Sequence, residues 1–175
     1  MAFFESYDIP VTIIRYSNVY GTNQSPSNPY CGVVSKFFTS VLCDVPPQIH
    51  GDGEQTRDFT FVDDAVEATM LAALSPRVVG EALNVGTGKE TSVKELAKLI
   101  IHLCGKDIQP VYKDRRDIDN LRRRVLNIEK IRQSLRWIPV TPLEEGLSKT
   151  YTWLRSNDID KAGNKVSYRL KAKVG

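Results

Sequence analysis

Long apolar runs are missing from this chain. No stretch approaches the roughly 20 residues needed to cross a bilayer. No basic segment precedes an apolar core at Met1-Ala2-Phe3-Phe4-Glu5, so neither a membrane partner nor a secretory signal is expected. Cysteine is scarce: Cys31, Cys43 and Cys104 are odd in number and lack CxxC spacing, and only His50 and His102 could join them. That excludes a disulfide framework and leaves no metal site to propose. Free thiols and the absent leader together predict a reducing, cytoplasmic setting. A surplus of one charge sign is also missing, since the net charge of +3 gives no basis for a nucleic-acid partner.

What remains is ordinary globular usage. The 175 residues are 41% hydrophobic and 26% charged, enough for one domain with a sizeable core. Residues 2–7 read as the end of a helix broken by Asp8-Ile9-Pro10. Val11 to Tyr16 is a nearly continuous β-branched run, the pattern of a parallel strand covered on both faces. Residues 17–32 read as a long Ser, Asn, Pro and Gly loop, a length that suggests binding. Val33 to Leu42 predicts an amphipathic helix. A short strand follows at Gln48-Ile49-His50, then a turn at Gly51-Asp52-Gly53 and a second short strand at Phe59 to Val62.

Asp63 or Asp64 can cap a helix from about Ala65 to Leu74, ended by Ser75-Pro76. Ala82 to Val85 is a further strand, followed by Gly86-Thr87-Gly88. Ser92 and Glu95 form a capping box for a helix with a stripe at Val93, Leu96, Leu99, Ile100 and Leu103, and Gly105 stands where a C′ glycine belongs. A last capping box, Thr141-Pro142-Leu143-Glu144, opens a helix to about Leu154 with proline at N1. Residues 157–175 lose periodicity and gain lysines, so a mobile basic tail is expected. Strands alternating with helices predict an α/β fold.

Four motifs could carry chemistry. Arg15-Tyr16-Ser17-Asn18-Val19-Tyr20-Gly21 lies at the carboxyl end of a strand, where open α/β sheets bind ligands. Asn18 there could serve sugar hydroxyls or an Asx-type turn. Arg57, in Gly51-Asp52-Gly53-Glu54-Gln55-Thr56-Arg57-Asp58-Phe59, offers a phosphate-binding fork or a surface ion pair with Asp52, Glu54 or Asp58. Gly86-Thr87-Gly88 lacks the third glycine and the immediate helix of a dinucleotide loop, so it reads as a plain turn. Lys113 to Arg124 carries six basic residues interleaved with three aspartates. A solvated loop is the default there, and a diphosphate clamp is the alternative.

In order and spacing, RYSNVYG, a proline-rich loop, GDGEQTRDFTFVDD, ALNVGTG, a capped helix and a basic loop resemble the extended short-chain dehydrogenase/reductase family. Its members include NAD-dependent UDP-sugar 4-epimerases, dTDP-glucose 4,6-dehydratase and UDP-glucuronate decarboxylase. The resemblance runs from about residue 2 to about 154 and corresponds to the C-terminal portion of such an enzyme. It implies the last strands of a Rossmann-type parallel sheet plus the smaller α/β substrate-binding domain over 1–156. By the same resemblance, Asn18 contacts a nucleotide-diphosphate sugar, and the backbone of Gly32 and Val33 lines the nucleotide site. Gln48, Ile49 and His50 lie beside the base, Arg57 binds the diphosphate, and Asn84 adds a substrate contact. Arg122 aligns with the second diphosphate arginine, with Arg123 or Arg124 able to take its place. Tyr16 and Ser17 fall at the nicotinamide end of NAD.

The family's GxxGxxG loop and its Tyr-x-x-x-Lys acid/base pair do not occur in this sequence. Hydride chemistry needs both. The resemblance therefore implies a nucleotide-sugar-binding portion that holds no catalytic residue and does not bind NAD alone. It also implies a partner: a homo-oligomer, or a chain that supplies the missing half.

Overall fold

The computed structural model describes residues 2–24, 32–115 and 121–157. Most of the tail expected at 157–175, together with Cys31 and Arg116, lies outside them. In chain order the elements are α1 (Ala2–Tyr7), β1 (Ile13–Tyr16), β2 (Asn18–Tyr20), α2 (Val33–Leu42) and β3 (Gln48–His50). They continue with β4 (Thr56–Arg57), β5 (Phe59–Phe61), α3 (Val62–Leu74), β6 (Ala82–Val85) and β7 (Thr91–Ser92). The last are α4 (Val93–Leu103), β8 (Val111–Lys113), β9 (Arg123–Arg124), α5 (Glu129–Leu135) and α6 (Leu143–Asn157).

The strands form small groups. β1 pairs with β6, β2 with β5 and β3 with β8, all parallel, while β4 lies between antiparallel β7 and parallel β9. This is the expected α/β architecture. Two apolar clusters fill it. The larger joins Phe37, Phe38 and Val41 of α2 to Phe59, Phe61, Leu96 and Ile100. The smaller packs Ala65, Ala68 and Ala72 of α3 on Leu83 and Val85 of β6, with Ile131 and Trp137.

Several boundaries differ from the sequence reading, each for a tertiary reason. The loop expected over 17–32 contains a strand, β2. Val19 and Tyr20 favour a strand but stand in a run of Ser, Asn, Gly and Pro too short to show a period; the Asn18 N–H reaches the Asp58 carbonyl at 2.9 Å and Tyr20 is buried. The helix expected from Ala65 begins at Val62, its cap is Phe61, and no side chain caps it. Asp64 is instead buried and accepts from Val140 N–H, Thr141 N–H and the Thr141 hydroxyl. Thr141 is therefore committed to Asp64, and α6 starts after Pro142 rather than on it. The Ser92 cap of α4 forms as expected, its Oγ accepting from Glu95 N–H at 3.0 Å, with Gly105 at φ +63°, while the return bond of a full box from the Glu95 carboxylate is not formed among the described residues.

β1 also departs from the pattern of a doubly covered strand. Ile13 and Ile14 are half-buried, and Arg15 and Tyr16 are exposed. Among the described residues β1 has one neighbour, β6.

Tyr20 anchors the larger cluster to α6. Its hydroxyl donates to the Leu143 carbonyl at 3.1 Å, and its ring meets Phe59 and Phe61 edge-on. A β-carbon on Gly146 would fall 2.2 Å from that hydroxyl, so α6 can approach only with glycine there. Burial, with Asp64, Glu144 and Glu145 adding to it, pushes the phenol well above its ordinary value, roughly 10. The folded state thus holds this proton more tightly than the unfolded state. The stabilisation is complete below pH of about 10 and is lost as pH rises above it. Replacing Tyr20 with Phe is expected to cost about 0.5–1.5 kcal/mol at neutral pH. It should also flatten the decline of the urea midpoint above pH of about 10; an unchanged decline would show that another group sets it.

Candidate functional site

The site is organised by a carboxylate. Asp58 lies between β4 and β5 and is 1% exposed. Its Oδ1 accepts from Thr87 N–H at 2.8 Å and the Thr87 hydroxyl at 2.6 Å. Its Oδ2 accepts from Gly88 N–H at 3.1 Å and Leu126 N–H at 3.4 Å. Its backbone N–H donates to the Arg124 carbonyl, and its carbonyl accepts from Asn18. A buried carboxylate must be satisfied in this way, and N–H donors to a charged acceptor give the stronger class of hydrogen bond. A β-carbon on Gly86 would lie 2.5 Å from Oδ2. The Gly86-Thr87-Gly88 turn is therefore shaped around Asp58.

Arg57 is 6% exposed, and its Nη1 donates to the carbonyls of Thr56 and Leu121. The three acids offered by sequence as surface partners are otherwise engaged. Asp52 binds Arg122 at 2.8 Å, Glu54 binds Lys94 at 3.0 Å, and Asp58 serves the turn. Arg57 stands opposite Arg124 in the parallel β4–β9 register, and Thr56 stands opposite Arg123. Thr56 and Arg123 both bind Glu90. Side chains alternate faces along a strand, so Arg57 and Arg124 share the opposite face.

The other sequence candidates fall around this pair. Asn18 is half-buried, and its side-chain amide makes no hydrogen bond among the described residues, so the Asx-type turn is not formed. Asn84, on β6 just before the turn, donates to the Asn127 carbonyl at 3.0 Å. Gln48 is exposed, while Ile49 is buried and presents only its backbone. His50 Nδ1 lies 3.0 Å from the Asp114 carbonyl, and the His50 carbonyl accepts from Gln55, which ties β3 to β4. The hydrogen bond from Arg122 lowers the Asp52 carboxyl from its ordinary value, as that from Arg123 lowers Glu90.

Gly32 caps α2 without a side-chain hydrogen bond, leaving Val33 in an uncapped first turn. Neither residue shares a hydrogen bond with the Asp58 group. Tyr16 bonds Thr69 at 2.7 Å, and Ser17 bonds Thr60 at 2.6 Å. The sequence reading missed Asp58 as an organiser and Glu90 as a partner. The available signal was the Gly-Thr-Gly turn, whose N–H groups need an acceptor.

The Gly86-Thr87-Gly88 turn that follows β6 gives the N–H groups of Thr87 and Gly88 to the internal Asp58 carboxylate. Among the described residues no group of three or more His, Cys, Asp or Glu could hold a metal ion, and no helix is long and apolar enough to cross a membrane.

Parallel strands feeding a small α/β lobe, with ligand-type side chains at the strand ends, define the chain as the Rossmann-type α/β class. It belongs to the NAD dependent epimerase/dehydratase family, whose model matches residues 1–86. A UDP-glucose 4-epimerase of Mycolicibacterium smegmatis is 39% identical over 150 residues, covering 86% of this chain and 47% of the relative. The structure of UDP-glucose 4-epimerase with UDP-glucose from Thermotoga maritima superposes with a TM-score of 0.84 at 39% identity, covering 89% of this chain and 49% of that one. The structure of dTDP-glucose 4,6-dehydratase from Bacillus anthracis in complex with NAD gives 0.78 at 31% identity, covering 90% and 48%. The chain spans about half the length of the curated relatives it matches.

Replacing Asp58 with Ala strands the N–H groups of Thr87 and Gly88. Each buried donor left unpaired costs about 1–3 kcal/mol, so the unfolding free energy should fall by more than about 2 kcal/mol in urea. A loss under about 0.5 kcal/mol would show that the turn finds other acceptors.

Proposed function

We propose that this chain is the nucleotide-sugar-binding half of an epimerase/dehydratase, with the diphosphate held between Arg57 and Arg124. The observation that carries the reading is the β4–β9 register, which sets these two arginines side by side on one face. A guanidinium pair matches the charge and forked geometry of a diphosphate. Arg124 is preferred because it stands opposite Arg57 in the β4–β9 register, whereas Arg122 lies one residue outside that strand pair. The free amide of Asn18 meets the sugar, and Asn84 adds a contact once it leaves Asn127. The uncapped first turn at Gly32 and Val33 and the strand Gln48-Ile49-His50 enclose the nucleotide, the latter through backbone and the His50 ring.

Hydride transfer lies beyond this chain alone. Acid/base work on a sugar hydroxyl needs a group whose proton affinity suits neutral pH, and the Arg57, Arg124 and Asn18 side chains do not supply one. NAD, present in complexes of the relatives, supplies hydride chemistry when another half holds it. Tyr16 and Ser17 would then border its nicotinamide end, through the hydroxyls now bonded to Thr69 and Thr60. A reducing cytoplasm suits the free thiols of Cys43 and Cys104.

Calorimetric titration with UDP-glucose and dTDP-glucose tests this reading. Arg57→Ala and Arg124→Ala should each weaken binding by about 1.5–3 kcal/mol, the range for hydrogen bonds to charged groups. Arg122→Ala should cost less than about 1 kcal/mol, as for an exposed ion pair. A large loss at Arg122 with none at Arg124 would reverse the assignment. No heat with either nucleotide sugar at millimolar concentration would sink the reading.

A further inference from the structure

The three-stranded sheet β7–β4–β9 has two unlike faces. Thr56 stands opposite Ser92 of antiparallel β7 and opposite Arg123 of parallel β9, so these three share one face. Glu90 lies two residues before Ser92 and therefore on the same side. It accepts from Thr56 Oγ1 at 2.9 Å and from Arg123 Nε at 3.0 and 3.1 Å. Ser92 Oγ accepts from Glu95 N–H at 3.0 Å. The polar side chains of this face thus bind one another or cap α4.

The other face carries a row of Thr91, Arg57 and Arg124, because Arg57 is paired with Thr91 on one side and with Arg124 on the other. Directly opposed residues of neighbouring strands have β-carbons about 5 Å apart, which sets the Thr91 hydroxyl beside the root of the Arg57 side chain. Thr91 is half-buried and Arg124 exposed, whereas Arg57 is 6% exposed. A solute therefore meets the two flanks of the row first. The hydroxyls of Thr56, Thr69 and Thr87 are all committed within the protein. That of Thr91 makes no hydrogen bond among the described residues.

We infer that Thr91 is a further binding residue of this face, its hydroxyl donating to a phosphoryl oxygen of the diphosphate held by Arg57 and Arg124. The inference rests on the sugar-nucleotide reading and deepens it by one residue that no sequence motif singles out. The groups are complementary in kind. The guanidinium forks supply charge and N–H donors in fixed planes. A threonine hydroxyl supplies one donor that turns about its Cβ–O bond, and so meets an oxygen lying off the plane of either fork. The site is also preorganised. Glu90 holds β7 to β4 from the other face, and Ser92 ties the next residue into α4. The branched β-carbon of threonine restricts χ1, so little rotamer freedom is lost when the hydroxyl binds.

The test titrates the 175-residue chain and its Thr91 variants calorimetrically with UDP-glucose and, as the bare anion, with inorganic pyrophosphate. Thr91→Val keeps the shape and the strand preference and removes the donor. It should weaken UDP-glucose binding about tenfold or more, as for a hydrogen bond to a charged group. Pyrophosphate should weaken in the same direction, and the urea midpoint should not fall. Thr91→Ser restores the donor and should bind UDP-glucose within about threefold of the parent. Equal affinity of the parent and Thr91→Val would overturn the inference and leave the arginine reading standing. A Thr91→Ser variant as weak as Thr91→Val would assign the loss to the methyl group and overturn it as well, and so would a fall in the urea midpoint that accompanies the lost affinity. A parent chain that binds neither ligand would overturn the inference together with the sugar-nucleotide reading, so the parent titration tells the two failures apart.

Discussion

A single buried carboxylate sets the geometry on which the rest of this site depends. Asp58 is held by the Gly86-Thr87-Gly88 turn and by Leu126 N–H, while its own backbone bonds Asn18 on one side and Arg124 on the other. Three segments far apart in sequence, at residue 18, at 86–88 and at 124–126, thus converge on one residue. The arrangement is self-consistent: the turn's N–H groups find an acceptor, and the carboxylate, 1% exposed, is satisfied by protein rather than by solvent. Gly86 is part of the same constraint, because any side chain there would occupy the place of Oδ2.

From that convergence follows the electrostatic character of the strand ends. Arg57 and Arg124 share one face, while Arg123 is drawn by Glu90 to the other and Arg122 is drawn to Asp52. Acidic partners therefore divide a run of three arginines into separate tasks. Two exposed ion pairs of this kind contribute little to stability; what they do is orient. They fix Arg122 and Arg123 away from the face on which Arg57 and Arg124 are paired in register.

The two apolar clusters differ in how they are covered. The larger is enclosed by α2, α4 and α6, with Tyr20 and Gly146 locking the last helix down. The smaller has β6 and α5 on one flank and, past Thr69, a row of exposed aliphatic side chains.

Much of the fold was legible in the residues themselves. The strand at Ala82 to Val85, the helix from Val33, and the Ser92 cap with Gly105 rest on local propensity and capping, and they stand where expected. The order of motifs also made the family recognisable, with Arg57 and Asn18 as candidates. Residues 18–20 were opaque as a strand because their pairing with Phe59–Phe61 is a long-range event. Asp63 or Asp64 looked like a cap because an acid before a helix usually is one, yet Asp64 is claimed by Val140 and Thr141 from the distant α6 entry. Likewise, nothing local distinguishes Arg122, Arg123 and Arg124. Sequence by itself determined the element types and the family. Which arginine faces Arg57, which acid is buried, and which apolar side chains stay uncovered were decided only by tertiary pairing, because register and burial depend on contacts between residues far apart along the chain.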